Sequence, residues 1–169
     1  LEPLLEKIRA DGGEAHGFGS DARVEEEVVA LFEKIETEIA PLEVLVFNIG
    51  ANVNFPIRDT TTRVYRKVWE MAAFAGFLAG REAAKVMVPR GKGTIIFTGA
   101  TASIRGAAGF SAFSGAWASD ASASAARASA ASALAAPGAA VSVAAVLVAA
   151  LAVVPLVVTS AVSVVVSSL

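Results

Sequence analysis

The chain has 169 residues, enough to bury one real hydrophobic core. Its 14 basic and 16 acidic residues give a formal net charge of -2, which argues against a nucleic-acid partner. With no cysteine and one histidine, His16, there is no disulfide framework, no thiolate nucleophile and too little for a zinc site or a Ser-His pair. His16 reads as an edge or surface residue, and no metal is expected.

In chain order, LEPLLEKIRA (Leu1 to Ala10) places apolar residues at 1, 4, 5 and 8, one face of a helix. The chain opens on this charged pattern and not on a signal peptide, so a cytoplasmic protein is expected. Asp11-Gly12-Gly13 ends the helix, and EAHGFGS (Glu14 to Ser20) reads as a short strand leading to Asp21. From Val24 to Ile39 the apolar positions 24, 28, 31, 32, 35 and 39 form a helical stripe. Glu25 to Glu27 suit the positive end of its dipole.

Pro41 closes that helix and opens PLEVLVFNIGANVN, around which the rest is arranged. Leu42 to Phe47 is apolar except for Glu43, with β-branched Val44 and Val46, as in a strand covered on both faces in the middle of a parallel sheet. The small residues that follow mark its carboxyl end, where ligands sit in open α/β sheets. Asn52 to Asp59 is a loop, and Thr60 to Thr62 can cap a long helix to about Val88, rich in Ala and Gly. Pro89 to Gly93 reads as a turn, Thr94 to Thr98 (TIIFT) as a second buried strand, and Gly99 to Gly109 as a Gly/Ala/Ser/Thr loop. Alternating strands and helices predict a parallel sheet with helices on both faces.

These residues resemble the short-chain dehydrogenase/reductase family over about Leu1 to Ala116. Asp21 after a short strand is similar to the family's acidic residue at the adenine ring, with Ala22 beside it. Phe47-Asn48-Ile49-Gly50, running into Ala51, occupies the place of the family's Asn-Asn-Ala-Gly motif. GKGTIIFTGATAS resembles the segment that carries the catalytic serine, and GFSAFSGA the start of Tyr-x-x-x-Lys. The resemblance implies a Rossmann-type, doubly wound α/β sheet in one domain, residues 1–169, with the first βαβ unit and its Gly-rich turn missing. It also implies NAD or NADP as cofactor, held by Asp21, Ala22, Asn48, Ile49, Gly50 and Ala51. A small carbonyl or alcohol substrate and a homo-oligomer, dimer or tetramer, formed through the long helix, come with it.

The family's chemistry needs a phenol that moves a proton, a lysine that lowers its pKa, a serine that holds the substrate oxygen and an asparagine in the relay. By the family's spacing these positions fall on Phe113, Trp117, Ala100 and, on or near, Ala72, none of which can do the work. Thr101, Ser103, Ser111 and Ser114 are hydroxyls close to the vacant positions, and Arg58 and Arg105 are cations that could meet an anionic substrate. Two functional readings stand: an NAD(P)-dependent oxidoreductase using displaced groups, and a dinucleotide-binding module without dehydrogenase activity.

Past residue 116 the alphabet narrows to Ala, Ser, Val and Leu, with Asp120 and Arg127 the only charges. Residues 117–169 are low in complexity and have the form of placeholder sequence, in which Trp117 would stand for a lysine. Their blocks still match the remaining family elements: a helix from Ala118 to Ala136, a turn at Pro137-Gly138, and strands at Val141 to Val148 and Val162 to Val166. The charge-free run is long enough to span a bilayer, but Pro155 interrupts it and neither aromatics nor Lys and Arg flank it, so no membrane span is expected.

Overall fold

The computed structural model describes residues 2–49, 53–99, 110–112 and 140–147. Helix α1 (Glu2–Ala10) buries Leu5. It ends where Gly12 takes the left-handed conformation, φ +85°, and Gly13 N–H donates to the Ile8 carbonyl at 3.0 Å. Residues 14–20 form no strand, contrary to the sequence reading. A strand exists only through a partner's hydrogen bonds, and no described strand lies beside this segment. Gly17 and Gly19 weaken it further.

Helix α2 (Glu25–Lys34) continues into a π-helical turn, Ile35–Ile39, and stops at extended Ala40 before Pro41. Strand β1 (Val44–Phe47) pairs in parallel with β2 (Lys92–Gly99), Val44 beside Thr94 and Phe47 beside Phe97. Strand β3 (Ala140–Leu147) continues the sheet in parallel, giving the order β1-β2-β3 and falling within one residue of its expected place. The other proposed tail elements, Ala118 to Ala136 and Val162 to Val166, lie outside the described residues.

Between β1 and β2 runs one helical rod: α3 (Thr62–Trp69), a π-helical turn (Glu70–Phe74) and α4 (Ala75–Arg90). Thr61 caps it, its hydroxyl accepting from Val64 N–H at 3.3 Å. The expected turn at Pro89 to Gly93 is much shorter. The helix runs through Pro89 to Arg90, and left-handed Gly91 (φ +63°) alone separates it from β2. Proline is tolerated there because only one intrahelical bond of the final turn is lost.

The main core lies between this rod, α2 and one face of the sheet. Val28 and Phe32 of α2, Leu45 and Phe47 of β1, Ile95 of β2, and Leu78, Ala83 and Met87 of α4 meet there. Close approach depends on two glycines. A Cβ at Gly76 would come within 3.3 Å of the Phe47 ring, and one at Gly80 within 3.0 Å of the Phe97 ring. The two rings lie 6.0 Å apart and tilted by 54°. Ionic ties hold the same layers together. Arg90 contacts Glu36 at 2.6 Å and the Leu42 carbonyl at 2.6 Å, while Arg81 joins Glu25 at 2.8 Å and buried Glu82 at 2.7 Å. Burial alone would raise the Glu82 pKa; hydrogen bonds from Lys85 and Arg81 outweigh it and hold the carboxyl below its ordinary value.

The opposite face of β1 differs from expectation. Val44 and Val46 are 52% and 54% exposed, and β1 is the edge of the described sheet and not a middle strand. Alternation in a strand sends Leu45 and Phe47 to the core and these two valines away from it, and no described helix covers that side.

Candidate functional site

The carboxyl ends of β1 and β2 point the same way because the strands are parallel, and that end of an open α/β sheet is where ligands sit. Asn48, just past β1, is exposed, and Ile49 is half-buried. Ile49 packs against the main core and also against a second apolar cluster of Val68, Met71, Ala72 and Ala112, which Val53 joins. The expected relay position, Ala72, is therefore brought beside the residue that precedes Phe113. Its own methyl group cannot pass a proton, and it packs there among the apolar side chains of Val68, Met71 and Ala112.

Ala72 also lies within the π-helical turn Glu70–Phe74. Such a turn costs regular i→i−4 bonds and is found disproportionately at functional sites. Phe55 and Phe110 form an isolated parallel bridge. Thr60 Oγ1 and Ser111 Oγ are 3.0 Å apart, and the Ser111 hydroxyl lies 3.5 Å from the Phe55 carbonyl. The loop after β1 is thus fastened to the segment leading to Phe113. Ser111 spends its hydroxyl on that attachment, so it is a poor substitute for a missing catalytic group.

Asp21 is half-buried and Ala22 belongs to the main core, sharing it with Leu45 and Phe47 of β1. The Asp21 carboxylate is gripped by Arg23: Oδ1 accepts from the Arg23 backbone N–H at 3.0 Å and Nε at 2.9 Å, and Oδ2 from Nη2 at 2.5 Å. The Arg23 side-chain hydrogen bond holds the Asp21 pKa down at about 2 against an opposing burial effect. The same bond to Asp21 raises that of Arg23, to which the charge of Glu70 also contributes. A carboxylate offers about four acceptor positions, so one remains on Oδ2 for an amino group of a ligand.

Sequence reasoning did not find Arg23 as the partner of Asp21 or Thr60 as the partner of Ser111. An i, i+2 pair outside a helix has no periodic signature, and a contact between distant loops has none at all. Gly50, Ala51, Ala100, Thr101, Ser103, Arg105, Phe113, Ser114 and Trp117 lie outside the described residues. Arg58 is described and exposed. The described residues contain no cluster of His, Cys, Asp and Glu able to hold a metal, and no helix long and apolar enough to cross a membrane.

Comparison with known proteins agrees with this architecture. The family model described as short chain dehydrogenase matches residues 1–154, running well into the low-complexity segment. A 2-dehydro-3-deoxy-D-gluconate 5-dehydrogenase of Formosa agariphila is 25% identical over 96 residues, covering 57% of this chain and 36% of the relative. Zerumbone synthase of Zingiber zerumbet is 28% identical over 109 residues, covering 62% and 41%. A crystal structure of a short-chain dehydrogenase from Rhodopseudomonas palustris superposes with a TM-score of 0.71 at 51% identity, over 76% of this chain and 60% of that one. The chain thus spans less than two thirds of the length of each of these relatives, and less than half of the two curated ones.

Proposed function

The chain belongs to the short-chain dehydrogenase family, and on that premise we propose that it works as an NAD(P)-dependent oxidoreductase acting on a small carbonyl or alcohol. The observation that carries the reading is the convergence of the β1 exit, the π-helical turn and residues 110–112 at one end of a parallel sheet. The relatives named above are similar in sequence, and one of them is named for oxidoreduction of a keto sugar acid.

The residues present fit the adenine half of a dinucleotide. Asp21 keeps one acceptor position for an exocyclic amino group, and Ala22 presents backbone beside it on a core-anchored segment. Asn48, Ile49, Gly50 and Ala51 would border the other half at the β1 exit. When bound, the nicotinamide supplies or takes the hydride. The chain would orient it, exclude water with the Ile49–Val68–Met71 cluster, and move a proton through a hydroxyl among Thr101, Ser103 and Ser114. Residues 1–169 would form one domain in a cytoplasmic protein.

A second reading, a dinucleotide-binding module without turnover, is favoured by Ala72, a buried methyl with no hydrogen-bonding group at the expected relay position. Calorimetric titration of the full-length protein with NAD(H) and NADP(H), followed by turnover against a panel of ketones and alcohols, separates the two. Binding with turnover supports the oxidoreductase and binding alone the module. Failure to bind either dinucleotide overturns both.

We also place a homo-oligomer contact on the α3–α4 rod. Tyr65, Trp69 and Phe77 are 39%, 36% and 57% exposed there, with Trp69, Phe74 and Phe77 stacked in sequence at 5.8 and 6.4 Å. Exposed aromatic rows of this kind are found at protein interfaces.

A further inference from the structure

The loop from Val53 to Thr60 exposes side chains that a simple connection has no reason to expose. Phe55 is 42% and Ile57 78% exposed, and Arg58 is exposed beside them. The loop is nevertheless well tied. Asp59 N–H donates to the Pro56 carbonyl at 2.9 Å, Thr60 Oγ1 donates to the same carbonyl at 2.9 Å, and Thr60 and Phe55 engage Ser111 and Phe110. Apolar side chains held in water by a fixed loop gain nothing unless something covers them.

The cation supplies the chemistry of what covers them. Among the described residues Arg9, Arg23, Arg81 and Arg90 each pair with a carboxylate, whereas Arg58 forms no ion pair, even with adjacent Asp59. Arg63 and Arg66 are also unpaired, but they lie on α3 and not in the tied loop. A guanidinium presents a planar fork matched to a carboxylate, and this one sits within three positions of two exposed apolar side chains.

We propose that Phe55, Ile57 and Arg58 form a substrate-reading arm for a small organic carboxylate. Arg58 takes the carboxylate in a bidentate pair, and Phe55 and Ile57 cover its carbon skeleton. The arm's role as a substrate selector rests on the oxidoreductase reading above, while its capacity to bind the anion does not.

Benzoate and its neutral counterpart benzamide test this by equilibrium titration of the full-length protein, in the presence of NAD+ and separately of NADP+. The expected result is benzoate binding about tenfold or more tighter than benzamide, a preference abolished by Arg58→Gln and kept by Arg63→Gln. Equal affinity for the two probes, no saturable benzoate binding, or equal losses in both variants overturns the arm. Turnover on the carbonyl panel is scored separately. A benzoate preference without turnover keeps the arm and removes the oxidoreductase; turnover without the preference does the reverse.

Discussion

Thr60 and Ser111, 51 positions apart in the chain, share a hydrogen bond of 3.0 Å between their hydroxyls. It fastens the loop after β1 to the segment that leads to Phe113. Ser111→Ala and Thr60→Val should each lower stability by about 1 kcal/mol, the usual net worth of such a bond. The double variant should lose less than the sum of the two, because both remove one interaction. Urea unfolding of the four proteins checks this, and strict additivity would show that the contact carries no energy.

Gly80 is where α4 comes nearest to β2. Alanine is the better helix former by about 1 kcal/mol, yet its Cβ would lie 3.0 Å from Phe97 Cζ. Gly80→Ala should therefore be destabilising, by about 1 kcal/mol, and adding Phe97→Leu should recover the loss by removing the ring. Thermal unfolding of the single and double variants measures the coupling. A stabilised Gly80→Ala would contradict the close approach.

The elements read correctly from sequence are those with a strong local signal: the α2 stripe, the Thr61 cap and the apolar strand TIIFT. Even β3 was legible within a residue, because a run of Val and Ala between small residues has strand character without any charge pattern. The readings that went wrong depended on neighbours. Residues 14–20 have strand-like composition but no described strand beside them, and Val44 and Val46 have the composition of buried residues but no described helix over them. At the site, Ala72 was legible as a departure from the family; the apolar cluster around it and the grip of Arg23 on Asp21 required the fold.

That grip gives a pH dependence. The Asp21 pKa is about 2 in the folded chain against an ordinary value of 3.8, so the unfolded state binds the proton more tightly. The pair's stabilisation is fully present above pH 4 and is lost as the pH falls from about 4 to 2. With Asp21 a quarter exposed, a screened contribution of about 1 kcal/mol is expected. The stability difference between wild type and Asp21→Asn, followed by urea unfolding from pH 6 to pH 2, should shrink across that window. A constant difference would place the pair's energy elsewhere.

Phe77 is the most exposed of the aromatic side chains on the α3–α4 rod. Phe77→Glu should leave the circular dichroism spectrum unchanged and shift sedimentation of the full-length protein towards the monomer. An unaltered association state would remove this face from the interface.

The most direct test of the account is calorimetric titration of the full-length protein and its Asp21→Ala variant with NADH and NADPH. Saturable binding of at least one dinucleotide is predicted, weakened about tenfold in the variant by loss of a hydrogen bond to a charged acceptor. If the protein binds neither, or if the variant binds with undiminished affinity, the end of the sheet beside Asp21 does not hold a dinucleotide.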